Sequence, residues 1–156
     1  MTKADQLAAA LDDLLTVSPD VEAAAIVSAD GLPMASALPP YVEEDRLAAM
    51  SAALLTLGER AAVGLGKGDL AQVFVEGSQG YVVLMSAGEN AVLVTVTSKS
   101  AKVGLVLFEM RKTAGSVAQI MDEPTPTAAT SEAPAPMSAP EPTPAAETES
   151  TVSGWQ

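Results

Sequence analysis

The chain has 156 residues, 48% of them hydrophobic, and carries a net charge of -12 from 8 basic and 20 acidic side chains. That length suits one compact domain with an appendage, and the negative charge excludes polyphosphate and disfavours an anionic membrane surface as partners. There is no Cys and no His, so a disulfide framework, a thiolate metal site and the commonest general base are all missing.

From Thr2 to about Val17, Leu7, Leu11, Leu14 and Leu15 recur at helical spacing, which predicts an amphipathic helix. Asp5, Asp12 and Asp13 interrupt its apolar pattern, which argues against a signal peptide. No run of about 18 apolar residues suggests a membrane span, and the protein reads as soluble and cytoplasmic. Ser18-Pro19 ends the helix, because Pro disfavours helix in the residue before it.

Val21–Ser28 reads as a strand with one face formed by Val21, Ala23, Ala25 and Val27 and the other by Glu22, Ala24, Ile26 and Ser28. Both faces are largely apolar, so it belongs at the centre of a sheet covered on both sides. Asp30-Gly31 predicts a tight hairpin turn with positive φ at both central residues. The return strand, Leu32–Ala37, contains Pro33 and therefore belongs at an edge.

The longest helical pattern follows, "VEEDRLAAMSAALLTLGERAAVGLG", with Glu43, Glu44 and Asp45 in its first turn and Gly64, Gly66 and Gly68 behind it. At 100° per residue, Leu47, Met50, Leu54, Leu57, Ala61 and Leu65 form a stripe expected to face the sheet. The opposite side carries Ala48, Ala49, Ala52, Ala53 and Thr56, with charges only toward the ends. A surface helix ordinarily carries Glu and Lys there. Alanine's high helix propensity is one explanation; the preferred one is a helix–helix contact between chains with a polar rim.

Three strand-like runs, Leu70–Glu76, Tyr81–Ser86 and Ala91–Thr97, are joined by "GSQG" and "AGEN", both turn-forming. In the last, Val92, Val94 and Val96 alternate with Ala91, Leu93 and Thr95, so it too is central. Leu70–Glu76 then takes the second edge, with neither Pro nor Lys to blunt pairing. A final helix runs from an N-cap at Ser100 to Met121. The order is α-β-β-α-β-β-β-α, with antiparallel pairing inside each strand group. The domain spans residues 1–121. From Asp122 onward the chain holds seven of its 11 Pro, six acids and no base, a composition expected to stay disordered. Trp155 is the one large anchor in that tail and a candidate docking point for a partner.

Chemistry is sparse. "GLGKGD" lacks the spacing and the strand-to-helix context of a phosphate loop and reads as a helix stop. Asp12-Asp13 and Glu43-Glu44-Asp45 read as solvated carboxylates on a helix surface and in a first turn. Ser28, Ser36, Ser51, Ser86 and Ser98 have no His partner. Met34, Met50, Met85 and Met110 read as core filler. No catalytic residue, metal site or cofactor is expected.

The element order, with "VEAAAIVSADGLPMAS" and "DRLAAMSAALLTLGERAAVGLGKGDLAQVFVEGSQGYVVLM", resembles the roadblock / dynein light chain family over about residues 3–121. The resemblance implies a profilin-like α+β sandwich: a five-stranded antiparallel sheet with two helices on one face and the long helix on the other. It implies a homodimer through the long helix and the third strand, here Ala48, Ala49, Ala52, Ala53, Thr56, Val73 and Val75. It also implies a small Ras-like GTPase as partner, as for the gliding-motility regulators, with Arg46, Glu59 and Arg60 as the exposed charges on the contacting helix. The function expected is a non-enzymatic, GTPase-activating or recruiting adaptor. The alternatives are a motility or polarity scaffold without GTPase contact and a small-molecule sensor.

Overall fold

The structure, a computed structural model, describes residues 1–123; Asp122, expected to open the disordered tail, still belongs to the last helix, and the tail beyond Glu123, Trp155 included, lies outside the described residues. The elements are α1 (Lys3–Val17), β1 (Val21–Ser28), β2 (Pro33–Ala37), α2 (Glu44–Gly64), β3 (Val73–Gly77), β4 (Gly80–Ser86), β5 (Ala91–Ser98) and α3 (Val103–Asp122). The strands form one antiparallel sheet in the order β2-β1-β5-β4-β3. The two doubly apolar strands are therefore interior, and the strand containing Pro33 lies at one edge with β3 at the other.

Alternation along the strands divides the core into two layers. Ala24, Ile26, Val83, Met85, Ala91 and Leu93 face α1 and α3, meeting Leu7, Leu11, Leu14, Val106, Met110 and Val117. Ala25, Val27, Leu84, Val92 and Val94 face α2, meeting Leu47, Ala48 and Leu55. Met85 and Met110 are core residues, and Met34 packs half-buried beside them, whereas Met50 is exposed. Thr95 sits fully buried in the first layer, where its hydroxyl donates to Met110 Sδ at 3.0 Å.

Val21 joins the α1/α3 layer and not the face of Ala25 and Val27. The register to β5 shifts between Val21 and Ala23; the extra residue in this bulge, Glu22, reverses the alternation. The hairpin turn after β1 also differs from expectation. Gly31 has φ 87°, and no non-glycine residue has positive φ among the described residues. Asp30 therefore stays in ordinary backbone space. Ser28 N–H donates to the Leu32 carbonyl at 2.8 Å, and Leu32 N–H donates to Ser28 Oγ at 3.0 Å. The loop is longer than a two-residue turn, with glycine at its one left-handed position.

The remaining differences lie at element ends. Strand β3 begins at Val73 and not Leu70. Helix α3 begins at Val103, with Lys102 in the N-cap position and no side-chain cap. Ser100 is not the cap: Ala101 N–H turns back to the Ser98 carbonyl and Ser100 Oγ lies 3.3 Å from Ser98 Oγ. Behind α2, the Leu65, Gly66 and Lys67 N–H groups close onto Ala61, Val63 and Ala62 carbonyls, with φ 70° at Gly66. The glycines of "GLGKGD" thus satisfy a helix C-terminus, the negative end of the dipole and the wrong pole for a phosphate.

Helix α1 begins with a capping box. Asp5 N–H donates to Thr2 Oγ1 at 3.2 Å, and Thr2 N–H donates to Asp5 Oδ2 at 3.1 Å. Hydrogen bonding to Thr2, through its side chain first and its backbone second, holds the Asp5 carboxyl below its ordinary value. A lowered folded-state pKa contributes stability above the unfolded value of about 3.9 and loses it as pH falls through the folded value. Amide-exchange protection in the first turn of α1, relative to the intrinsic rate, is therefore expected to fall below about pH 4, and Asp5→Asn is expected to abolish that acid step.

Candidate interaction site: the outer face of helix α2 and the edge of β3

Helix α2 is apolar on two sides, and the structure decides which side meets the sheet. Leu47, Ala48, Ser51 and Leu55 are buried. The stripe expected to face the sheet does not: Leu47 is buried and Leu54 is half-buried, but Met50, Leu57 and Leu65 are 48%, 62% and 76% exposed, and Ala61 is exposed. The helix is turned so that small residues contact the sheet. Ser51 is buried with its hydroxyl donating to the Leu47 carbonyl at 2.7 Å, so it brings no unsatisfied group into the core.

Close approach explains this rotation. A Cβ on Gly31 would lie 3.5 Å from Ala52 Cβ and 3.6 Å from Ala49 Cα, so the β1–β2 turn rests on the helix backbone. A Cβ on Gly58 would meet Val73 Cγ2 at 2.8 Å and Leu70 Cδ2 at 3.1 Å, so the helix also lies tight against the entry to β3. Larger side chains at Ala48 or Gly58 would hold α2 off the sheet.

The residues expected at the dimer contact consequently separate. Ala48 is 0% exposed, inside its own protomer's core, and cannot face a second chain. Ala52 is half-buried beside Gly31, and Val73 is half-buried in the α2 layer. Ala49, Ala53 and Thr56 are exposed; Thr56 Oγ1 donates to the Ala52 carbonyl at 2.9 Å, leaving the outer surface apolar. Val75 is exposed on the β3 edge. The reading by alanine spacing missed Met50 and Leu57, which stand on the outer face at the same helical spacing as Ala49 and Ala53. Their signal was present: large apolar residues from Leu47 to Leu65 spread over more of the helix circumference than one sheet covers.

The outer stripe runs Arg46, Ala49, Met50, Ala53, Leu57 and Arg60. Arg46, Glu59 and Arg60 are exposed and take part in no ion pair among the described residues, where Lys112–Glu109 is the only one. By length and composition α2 is apolar enough for a membrane span, yet only 22% of that window is buried in the protomer. Beside it, Phe74 and Val75 of the unpaired β3 edge are 42% and 39% exposed. A helix face and a strand edge lacking cover thus lie side by side.

Elsewhere the concavities are open. One, of about 510 Å³, lies between α1 and α3 and mixes Ala9, Ala10 and Leu14 with Asp13, Glu109 and Lys112. Among the described residues no three or more Asp, Glu, His or Cys side chains converge, Asp12-Asp13 and Glu43-Glu44-Asp45 included. Glu44 instead accepts a hydrogen bond from Ser36 Oγ at 2.6 Å.

An antiparallel five-stranded sheet with two helices on one face, one long helix on the other and an open third-strand edge defines a roadblock-type α+β sandwich. The chain belongs to the Roadblock/LC7 domain family, whose family model matches residues 7–97. It is 33% identical over 97 residues to the uncharacterized protein MJ0310 of Methanocaldococcus jannaschii, covering 62% of this chain and 84% of that one. A Roadblock/LC7 domain from Streptomyces avermitilis superposes with a TM-score of 0.67 at 26% identity, over 70% of this chain and 92% of that one. The gliding protein MglB from Thermus thermophilus shares the fold with a TM-score of 0.69 at 20% identity, over 77% and 91%.

Proposed function

We propose that the protein is a homodimeric, non-enzymatic adaptor or regulator of a small Ras-like GTPase. The dimer pairs α2 with α2 and β3 with β3, and the joined helices form the docking platform. The observation that carries this reading is the exposed apolar stripe of α2, with Met50 and Leu57 at its centre, adjoining the unpaired β3 edge. A two-fold contact buries both features at once and extends the sheet to ten strands.

Arg46 and Arg60 stand equally far from Ala53 along α2 and, with Glu59, are exposed at the two ends of the apolar stripe, where they form a polar rim around the contact. These are the charges the platform offers to the GTPase, and a role as a catalytic finger is not required. Membership in the roadblock family supports the GTPase as partner, and the resemblance to gliding-motility regulators points the same way.

Sedimentation velocity of the full chain tests the dimer, and capture with small Ras-like GTPases of the same organism, loaded with GTP or GDP, tests the partner. A dimer that retains the GTP-loaded and not the GDP-loaded GTPase supports the proposal. A dimer indifferent to both nucleotide states refutes the GTPase reading in favour of a scaffold, and a stable monomer refutes the platform.

A further inference from the structure

Half of the chain's eight basic residues fall between positions 99 and 112: Lys99, Lys102, Arg111 and Lys112, with Glu109 the only acid among them. All four are exposed. Between them Leu105 and Phe108 are 61% and 55% exposed. Lys102, Leu105, Phe108 and Lys112 follow one another at helical spacing along the outer side of α3, and Arg111 flanks them. Lys112 Nζ lies 5.7 Å from the Phe108 ring centroid and 3.4 Å from Glu109 Oε2. Lys99, Lys102 and Arg111 make no ion pair among the described residues.

The N-terminal half of this arrangement does not serve the fold. Lys99 and Lys102 stand at the positive end of the α3 dipole, with no acid in the first turn to offset them, a placement that disfavours the helix. Lys102 occupies the N-cap without supplying a side-chain hydrogen bond. Leu105 and Phe108 hold apolar surface in water at the centre of a charged rim, the anatomy of a protein contact.

We propose that this stripe docks an acidic segment of a partner protein that inserts apolar side chains between the lysines. Charge complementarity selects the occupant: the patch is strongly positive in a chain of net charge -12. The occupant is narrow. Helix α1, beside α3 in the same layer, exposes Asp5, Asp12 and Asp13, which repel a flat anionic bilayer. A peptide lying along the roughly 15 Å from Lys102 to Lys112 meets four basic residues against one ion-paired acid, Glu109, with Asp20 beside Lys102 and Asp13 beside Lys112 only at its α1 flank. The surface lies across the sheet from α2, so the inference does not rest on the dimer, and the protein presents two independent docking faces.

The test uses the full chain. A short random-peptide display library is selected on the wild-type protein with counter-selection on Arg111→Glu, and an enriched peptide is titrated by fluorescence anisotropy at two salt concentrations. Phosphatidylcholine vesicles containing phosphatidylserine form a parallel arm. Enriched peptides are expected to combine Asp or Glu with bulky apolar residues, to weaken with salt, and to bind Arg111→Glu and Phe108→Ala at least roughly tenfold more weakly. Lys102→Asp separates docking from folding. It supplies the missing cap acceptor, so the melting temperature rises while peptide affinity falls. Leu57→Glu leaves the titration unchanged. Enrichment of basic or neutral peptides, no enrichment, equal binding to Arg111→Glu, or flotation of the protein with the vesicles overturns the proposal.

Discussion

Leu57→Glu is expected to separate the proposed dimer into monomers without unfolding them. Leu57 is 62% exposed in the protomer, so a carboxylate there stays hydrated and the protomer fold is retained. In the proposed dimer the same position is buried. Losing one leucine's burial costs about 1.5–3 kcal/mol. The two-fold axis makes the loss twice per dimer, and it also brings two carboxylates close to the paired helices. A total of about 3–6 kcal/mol weakens association by at least about 100-fold. Sedimentation velocity reads the change, and far-UV circular dichroism confirms the unaltered fold. Ala48→Glu is the informative contrast. Ala48 is 0% exposed beneath the sheet, so a charge there is expected to unfold the protomer itself. If Leu57→Glu sediments as the wild-type dimer, the helix face is not the contact.

Gly80→Ala is expected to be among the most destabilising single-methyl additions in the domain. Gly80 opens β4 and pairs with Ser98 of β5 and Gly77 of β3. A Cβ there would overlap the Thr97 carbonyl oxygen, with the Thr97 carbonyl carbon at 3.3 Å and the Ser98 carbonyl carbon at 3.5 Å. These are backbone atoms of a central strand, held by ladders on both sides, so neither neighbour yields as a flexible side chain would. The cost is about 3 kcal/mol, at the upper end of ordinary overpacking, and a fall in melting temperature of about 10 °C. Gly115→Ala should do the opposite. Gly115 lies inside α3 with nothing within 4 Å of a built Cβ, and glycine in a helix interior is about 0.5–1 kcal/mol worse than alanine. Chemical denaturation of the two variants beside wild type checks both signs; equal midpoints for all three would contradict the close strand approach at Gly80.

The structure also explains why α2 misled a reading by periodicity. Its two apolar stripes are offset around the helix, one rich in Leu and Met and one rich in Ala. Size favours the larger stripe for the core, yet Ala48 and Ser51 take the sheet side and Met50 and Leu57 face out. The determinant is distance. Gly58 sits against Val73 and Leu70, and the Gly31 turn rests on Ala49 and Ala52 at the flank of the helix, so small residues are required at both approaches. Leu47 and Leu55 fill the wider spaces beside them. No single-sequence pattern contains the separation between a helix and the sheet it covers.

Other elements depended only on local chemistry and were legible. Pro33 lacks an amide hydrogen and forced its strand to an edge. The double-sided apolar alternation of Val21–Ser28 and Ala91–Thr97 required sheet positions covered on both faces, and their order in the sheet follows. The element order, the edges and the absence of His and Cys are therefore properties of the linear chain, because side-chain period and backbone valence act over a few residues. The rotation of α2, the reversed face of Val21 and the exposure of Leu105 and Phe108 were decided by packing. Each depends on how closely two elements approach, or on a bulge that shifts the register by one residue, and such distances exist only once the sheet and its helices have come together.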